Sequence, residues 1–166
     1  MYRSISDFEK NYQEETAQTR KLFSLITEDK KNIKIHENIR SLNRLAWHIT
    51  QSITEMGLHA GLIDSDPMAE LSSPPTIEEI IQLHEEHSGL LKKRVRLKWT
   101  DSSLEDTIEM YGEQWPKGKV LHVLIAHEAH HRSQMTVIMR MLDLPIIGIY
   151  GPSKEEWQAI GLSPME

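Results

Sequence analysis

Apolar residues return every three or four positions along four long stretches of this chain, a period that commits the backbone to amphipathic helices. Ile5, Phe8, Tyr12, Leu22, Phe23 and Ile26 mark the first, predicting a helix over roughly Ser4 to Thr27. Leu42, Leu45, Ile49, Ile53 and Met56 mark a second, over about Asn38 to Leu62. The third opens on Thr76-Ile77-Glu78-Glu79, a capping box in which the threonine hydroxyl accepts from a free backbone N–H and Glu79 reaches back to the cap. Its stripe is Ile77, Ile80, Ile81, Leu91 and Val95, and it runs to about Trp99. The fourth starts at Pro116, whose missing N–H is not needed in a first turn, and carries Val120, Leu124, Met135, Ile138 and Leu142.

Between these stretches the sequence is polar. Glu28 to Lys34 reads as a connection, and Asp64 to Pro75, ending in Pro74-Pro75, as a loop. Thr100 to Trp115 is less regular, with a turn at Asp101-Ser102-Ser103 and a short element within Leu104 to Tyr111. After Pro145 the chain turns through Gly148 and Gly151-Pro152, and a second capping box, Ser153-Lys154-Glu155-Glu156, opens a short final helix through Trp157. Leu144 to Tyr150 is the one stretch suited to a strand, and it is too isolated to make a sheet. With no repeat and no linker in 166 residues, the expectation is one all-α domain over residues 1–166. Its architecture would be an antiparallel four-helix bundle with a short C-terminal helix.

The formal charge of −6 gives no support for nucleic-acid binding. The basic run Lys92-Lys93-Arg94-Val95-Arg96, with Lys98, spreads around its helix as a solvated face. No apolar run approaches a membrane span, and Met1 to Lys10 lacks the apolar core of a signal peptide. The absence of cysteine excludes disulfides, thiolate ligands and a catalytic thiol. A cytoplasmic protein bound to neither nucleic acid nor membrane is expected.

Nine histidines stand out in a chain without cysteine. His127 and His131 fall on the fourth stripe, between Leu124 and Met135, one turn apart on one face. Their Cβ atoms would lie about 6 Å apart, close enough for both rings to reach one metal ion. Hydrogen-bonded core histidines would show the same spacing. A third ligand must come from another helix, because no histidine follows His131. His48, beside the second stripe, competes with His84 and His87 on the third, and periodicity does not choose among them. His36, His59, His122 and His130 read as loop, edge or off-face residues.

His127-Glu128-Ala129-His130-His131 also fits the H-E-x-x-H pattern of zinc metallopeptidases, in which the glutamate is the general base. Such enzymes need a third ligand downstream, but no histidine follows His131, and Glu155, Glu156 and Glu166 sit in or after the short tail. Glu128 lies about 100° around the helix from His127, placing it at the edge of any site as proton acceptor or supporting group, or else as an exposed helix glutamate.

Leu45-Ala46-Trp47-His48-Ile49, together with His127-Glu128-Ala129-His130-His131-Arg132-Ser133-Gln134, resembles the DinB-like family, the DinB/YfiT-like metalloenzymes, across nearly the whole chain. The closing Ile149-Tyr150-Gly151-Pro152-Ser153-Lys154-Glu155-Glu156-Trp157 is similar to a tail of some members. The family often has Gly-Gln after the arginine, where this chain has Ser133-Gln134. The resemblance implies a four-helix bundle, a metal held by His48, His127 and His131, and a homodimer. The expected function is that of a metal-dependent enzyme, a thiol-dependent transferase or hydrolase acting on a small-molecule substrate. Its cofactor would be a divalent ion, zinc or nickel, with a low-molecular-weight thiol as cosubstrate and Glu128 as candidate catalytic group. A non-catalytic metal-binding stress-response protein is the alternative from another class.

Overall fold

A computed structural model describes residues 1–163. Four long helices dominate it: α1 (Ile5–Phe23), α2 (Leu42–His59), α3 (Ile77–Lys98) and α4 (Lys117–Met141). Short side chains fix where the first three begin. The hydroxyls of Ser4, Ser41 and Thr76 accept from the backbone N–H of Asp7, Arg44 and Glu79, and Thr76 with Glu79 forms the capping box expected there. The Ser153 box likewise opens α5 (Lys154–Ala159).

The connection between α1 and α2 is longer than the period suggests. The first helix stops at its cap, Ser24, and the second waits for Ser41, so residues 24–41 form an irregular segment. Pro116 caps α4 instead of lying in its first turn. The expectation for β structure is corrected. Leu144 to Tyr150 forms no strand; its apolar residues Leu144, Ile146, Ile147 and Ile149 pack over one of the cores. The strands are β1 (Thr107–Met110) and β2 (Glu113–Pro116), an antiparallel hairpin that pairs Ile108 with Trp115 and follows a 3-10 turn at Asp101–Glu105. Its two-residue turn places Tyr111 at φ 55° and Gly112 at φ 82°, the left-handed pair that matches the twist of a tight hairpin.

Two apolar clusters lie at opposite ends of the bundle, and they reveal the direction of each helix. Phe8 and Tyr12 of α1, Ile53 and Met56 of α2, Leu91 and Val95 of α3 and Val120 to Ile125 of α4 share the first. Leu22, Leu42, Leu45, Ile80, Met135 and Ile138 belong to the second. Thus α1 and α4 run one way, and α2 and α3 the other. Each of α1 and α4 packs on a helix of the opposite direction, α3 and α2 respectively, as the antiparallel bundle requires. The pairs α2–α3 and α1–α4 run parallel, because residues 60–76 return along the bundle's length before α3 starts. Met68, fully buried, anchors that return in the second cluster.

The amino-terminal arm is pinned by the Tyr2 N–H, which donates to the Gly118 carbonyl at 3.1 Å. A Cβ on Gly118 would meet the Tyr2 carbonyl oxygen at 2.1 Å, whereas one on Gly89, in mid-α3, meets nothing within 4 Å. Gly118→Ala should therefore destabilise the fold by about 1–3 kcal/mol. Gly89→Ala should stabilise it by roughly 0.5–1 kcal/mol through helix propensity. Chemical denaturation of the two variants beside the parent reads both signs.

Candidate metal centre

A polar layer separates the two apolar clusters. The stripes that carry Tyr12, Ile80 and Leu124 continue into Glu15, Thr16 and Thr19 on α1, His84, His87 and Ser88 on α3, and Glu128 and Arg132 on α4, all buried. Arg132 is only 1% exposed, so its charge must be met inside the protein. It ion-pairs with Glu15, donates to the Glu15 carbonyl at 2.8 Å and donates to the Tyr150 hydroxyl at 3.1 Å. Tyr150 in turn donates to the Glu15 carboxylate at 2.9 Å, which ties the tail to α1 and α4.

Glu128 belongs to the same layer. It is 3% exposed, which excludes the alternative of a solvent-facing helix glutamate. Its carboxylate accepts from the Thr19 hydroxyl and faces His84 Nε2 at 3.2 Å. Burial by itself would raise the Glu128 pKa, but His84, Thr19 and the Arg132 charge together hold it below the ordinary carboxylate value. His84, a rival third ligand in the sequence, is thus the partner of Glu128.

The neighbouring face of α4 carries His127 and His131, and α2 brings His48 to them. The ring centroids lie 4.5 Å apart for His127–His131, 4.6 Å for His48–His131 and 5.1 Å for His48–His127. One nitrogen from each ring lies within 4.8 Å of the other two, and the Nε2 atoms of His127 and His131 are 3.1 Å apart. Of the three candidates for third partner, the structure brings His48 to the pair. His87 is buried in the polar layer and lies outside this cluster. His36, His59 and His130 are spent on local contacts with Asn38, Glu55 and Gln134, and His122 is exposed, as expected of off-face residues.

Burial is the first cause that disfavours protonation of these rings; His131 and Arg40 add to it at His48 and His127, and at His131 the Gln134 contact opposes burial while His130 and Arg40 support it. His48 and His127 are each lowered to about 4, and His131 is lowered as well. At neutral pH all three are therefore neutral imidazoles, the form in which histidine binds a metal. Gln134, one turn beyond His131, places its amide oxygen 2.9 Å from His131 Nδ1. With that nitrogen as the N–H donor, Nε2 is left with its lone pair toward His127 and His48. Three neutral nitrogens converging on one point, one of them oriented by an amide, fit a divalent ion.

A cavity of about 530 Å³ opens beside this cluster. His131 and Gln134 form part of its wall, with Leu45, Val137, Ile138 and Met141 from the helices. Ile35, Asn38, Ile39 and Arg40 of the irregular segment close the other side.

Sequence reasoning missed Glu15, Arg132 and Tyr150. The signal was present for the first two, since charged residues at stripe positions must be paired or lie off the core. Arg132→Met leaves Glu15 buried without its cation and should cost about 3–5 kcal/mol. Adding Glu15→Gln should recover part of that loss, and a double-mutant cycle of unfolding free energies measures the coupling.

The comparisons with known proteins agree with this architecture. The sequence matches the DinB family over residues 1–164. It is 33% identical to the uncharacterized protein YrdA of Bacillus subtilis over 162 residues, covering 98% of this chain and 97% of that protein. Among solved structures, a DinB-like protein from Bacillus cereus superposes with a TM-score of 0.83 at 29% identity, over 90% of this chain and 100% of that one. The DinB-like protein YjoA from Bacillus subtilis shares the fold, with a TM-score of 0.69 at 17% identity over 89% of this chain and 99% of that one. By sequence over nearly its whole length, and by fold, this chain belongs to the DinB family.

Proposed function

We propose that this protein is a divalent-metal-dependent enzyme acting on a small molecule, with His48, His127 and His131 as the ligands. The observation that carries the reading is the convergence of three neutral imidazoles beside a cavity large enough for a small molecule. Ligand cavities commonly hold about 300–1,000 Å³, so the size suits a substrate and not merely a water. Three nitrogen ligands leave an ion at least one further position, at which a water or a thiol loses its proton readily. Zinc and nickel both suit imidazole ligands. Because the chain has no cysteine, a thiol nucleophile would come from a low-molecular-weight cosubstrate.

The protein's own groups then have separate tasks. His131 joins the cluster to the cavity, and Gln134 holds its tautomer. Glu128 is a positioning residue in this reading. Its carboxylate, engaged by Thr19 and His84 inside the bundle, fixes the rotation of α4 that turns His127 and His131 toward α2. The same burial counts against the peptidase reading of the H-E-x-x-H pattern, which needs an accessible glutamate as base.

Protein purified without an affinity tag should carry close to equimolar zinc or nickel by elemental analysis. His48→Ala, His127→Ala and His131→Ala should each abolish that content; unchanged metal in all of them would refute the assignment. Gln134→Ala should keep the ligands but weaken metal binding roughly 10–100-fold. Metal-loaded protein should conjugate small electrophiles with a low-molecular-weight thiol, and the turnover should vanish in the histidine variants. Turnover that survives in them would reject the mechanism.

A further inference from the structure

The cavity beside His131 has a composition that discriminates among small molecules. Most of its wall is aliphatic, and three of those side chains are unusually open: Ile39 is 40% exposed, Val137 59% and Met141 61%. A cluster of exposed apolar side chains around a concavity marks a surface that something apolar covers. Arg40 is the one charged group in the wall, accompanied by the amides of Asn38 and Gln134, and no carboxylate lines the cavity. Among the described residues Arg40 forms no ion pair, in contrast to Arg132 and Arg140, which are held by Glu15 and Glu155.

The surroundings reinforce that sign. Between residues 30 and 44 the chain carries Lys30, Lys31, Lys34, Arg40 and Arg44 against Glu37 alone, although its formal charge overall is −6. Lys30 is spent on the Leu142 carbonyl and Lys31 on Glu28 and the Pro75 carbonyl, while Arg44 donates to Gln51. Lys34 lies outside the cavity wall, so Arg40 is the cation that faces the cavity. A guanidinium presents a planar fork of N–H donors that matches a carboxylate, and one cation balances one negative charge.

We propose that this cavity selects a small aliphatic carboxylate, its hydrocarbon chain against Ile39, Val137 and Met141 and its carboxylate paired with Arg40. The inference rests on the proposed function in making the cavity the place of the substrate, but binding there needs no metal. Arg40 is then the residue that determines which molecules reach His131: an anion with an apolar body is admitted, a cation is repelled, and a neutral analogue lacks the charge-assisted hydrogen bonds.

Octanoate, octanamide and octylammonium share one chain and differ in head charge, so calorimetric titration with these three probes tests the idea. The titrations are run on the full chain as purified and again after chelation. Octanoate should bind roughly tenfold or more tighter than octanamide in both preparations, and octylammonium should bind weakest. Arg40→Gln should bring octanoate to the level of octanamide, and Arg40→Glu should reverse the order of octanoate and octylammonium. Equal binding of octanoate and octanamide, binding of none of the probes, or an order that survives Arg40→Glu would each overturn the proposal. A second copy of the chain is the other candidate occupant. If Val137→Glu splits an oligomer in light scattering while octanoate does not bind, the face is an interface and the proposal fails. Elemental analysis of the purified chain and of its His48→Ala, His127→Ala and His131→Ala variants separates the two readings. Metal retained with octanoate selectivity absent contradicts this inference alone. Selectivity through Arg40, with metal content unaffected by the histidine substitutions, contradicts the proposed function alone.

Discussion

The buried Arg132 charge constrains the rest of the structure. A guanidinium with 1% exposure must be met by an anion and by acceptors of its N–H groups, and Glu15, its carbonyl and Tyr150 supply them. This fixes α4 against α1 both in height and in rotation, because a one-turn slip or a small twist would leave two opposite charges buried apart. The adjacent contact of Glu128 with Thr19 and His84 adds α3 to the same layer. Apolar packing at the two ends of the bundle supplies most of the driving force for folding, but it tolerates sliding. The polar layer between does not.

That rotation produces the histidine cluster. Consecutive residues on a helix are about 100° apart, so turning Glu128 and Arg132 toward α1 and α3 leaves His127 and His131 facing α2. α2 runs antiparallel to α4 at that face and carries His48 at the matching level. The pairs 127/131 and 128/132 thus divide the work of one helix surface: the first gathers nitrogen donors, and the second holds the helix still while they are gathered. His131 is buried and His48 and His127 are half-buried beside it, so protonating any of the three would forgo hydration of the charged form, and the rings stay neutral.

Much of this was legible in the residues. The apolar period located all four long helices, and the boxes at Thr76 and Ser153 located the starts of α3 and α5, because capping is local chemistry written in a few consecutive residues. Direction was not legible: a stripe on a helix is the same read either way, and only the long return through Met68 makes α2 and α3 parallel. Of the hairpin at 107–116 only a short element within Leu104 to Tyr111 is legible, because four-residue strands are too short to display alternation and Tyr111 is an atypical residue for its φ of 55°. His127 and His131 were visible as a pair from their spacing. His48 could not be separated from His84 and His87 by period, since each lies on or beside an inner face; the family resemblance selected it, and the packing of α2 on α4 now brings it to the pair. For Glu128 the period leaves both a place at the edge of the site and an exposed face open, because His127 occupies the stripe beside it; the structure buries it on a face of α4 broad enough for both.

The proposed chemistry requires that the three imidazoles hold one ion together. X-ray absorption at the zinc edge, on zinc-loaded protein and on the His48→Ala variant, tests this most directly. A shared ion should show a shell containing three imidazole nitrogens at about 2.0–2.1 Å with ring multiple scattering, and one imidazole fewer, or no bound zinc, in the variant. A shell of oxygen donors without imidazole scattering, or a spectrum that His48→Ala leaves unchanged, would contradict it.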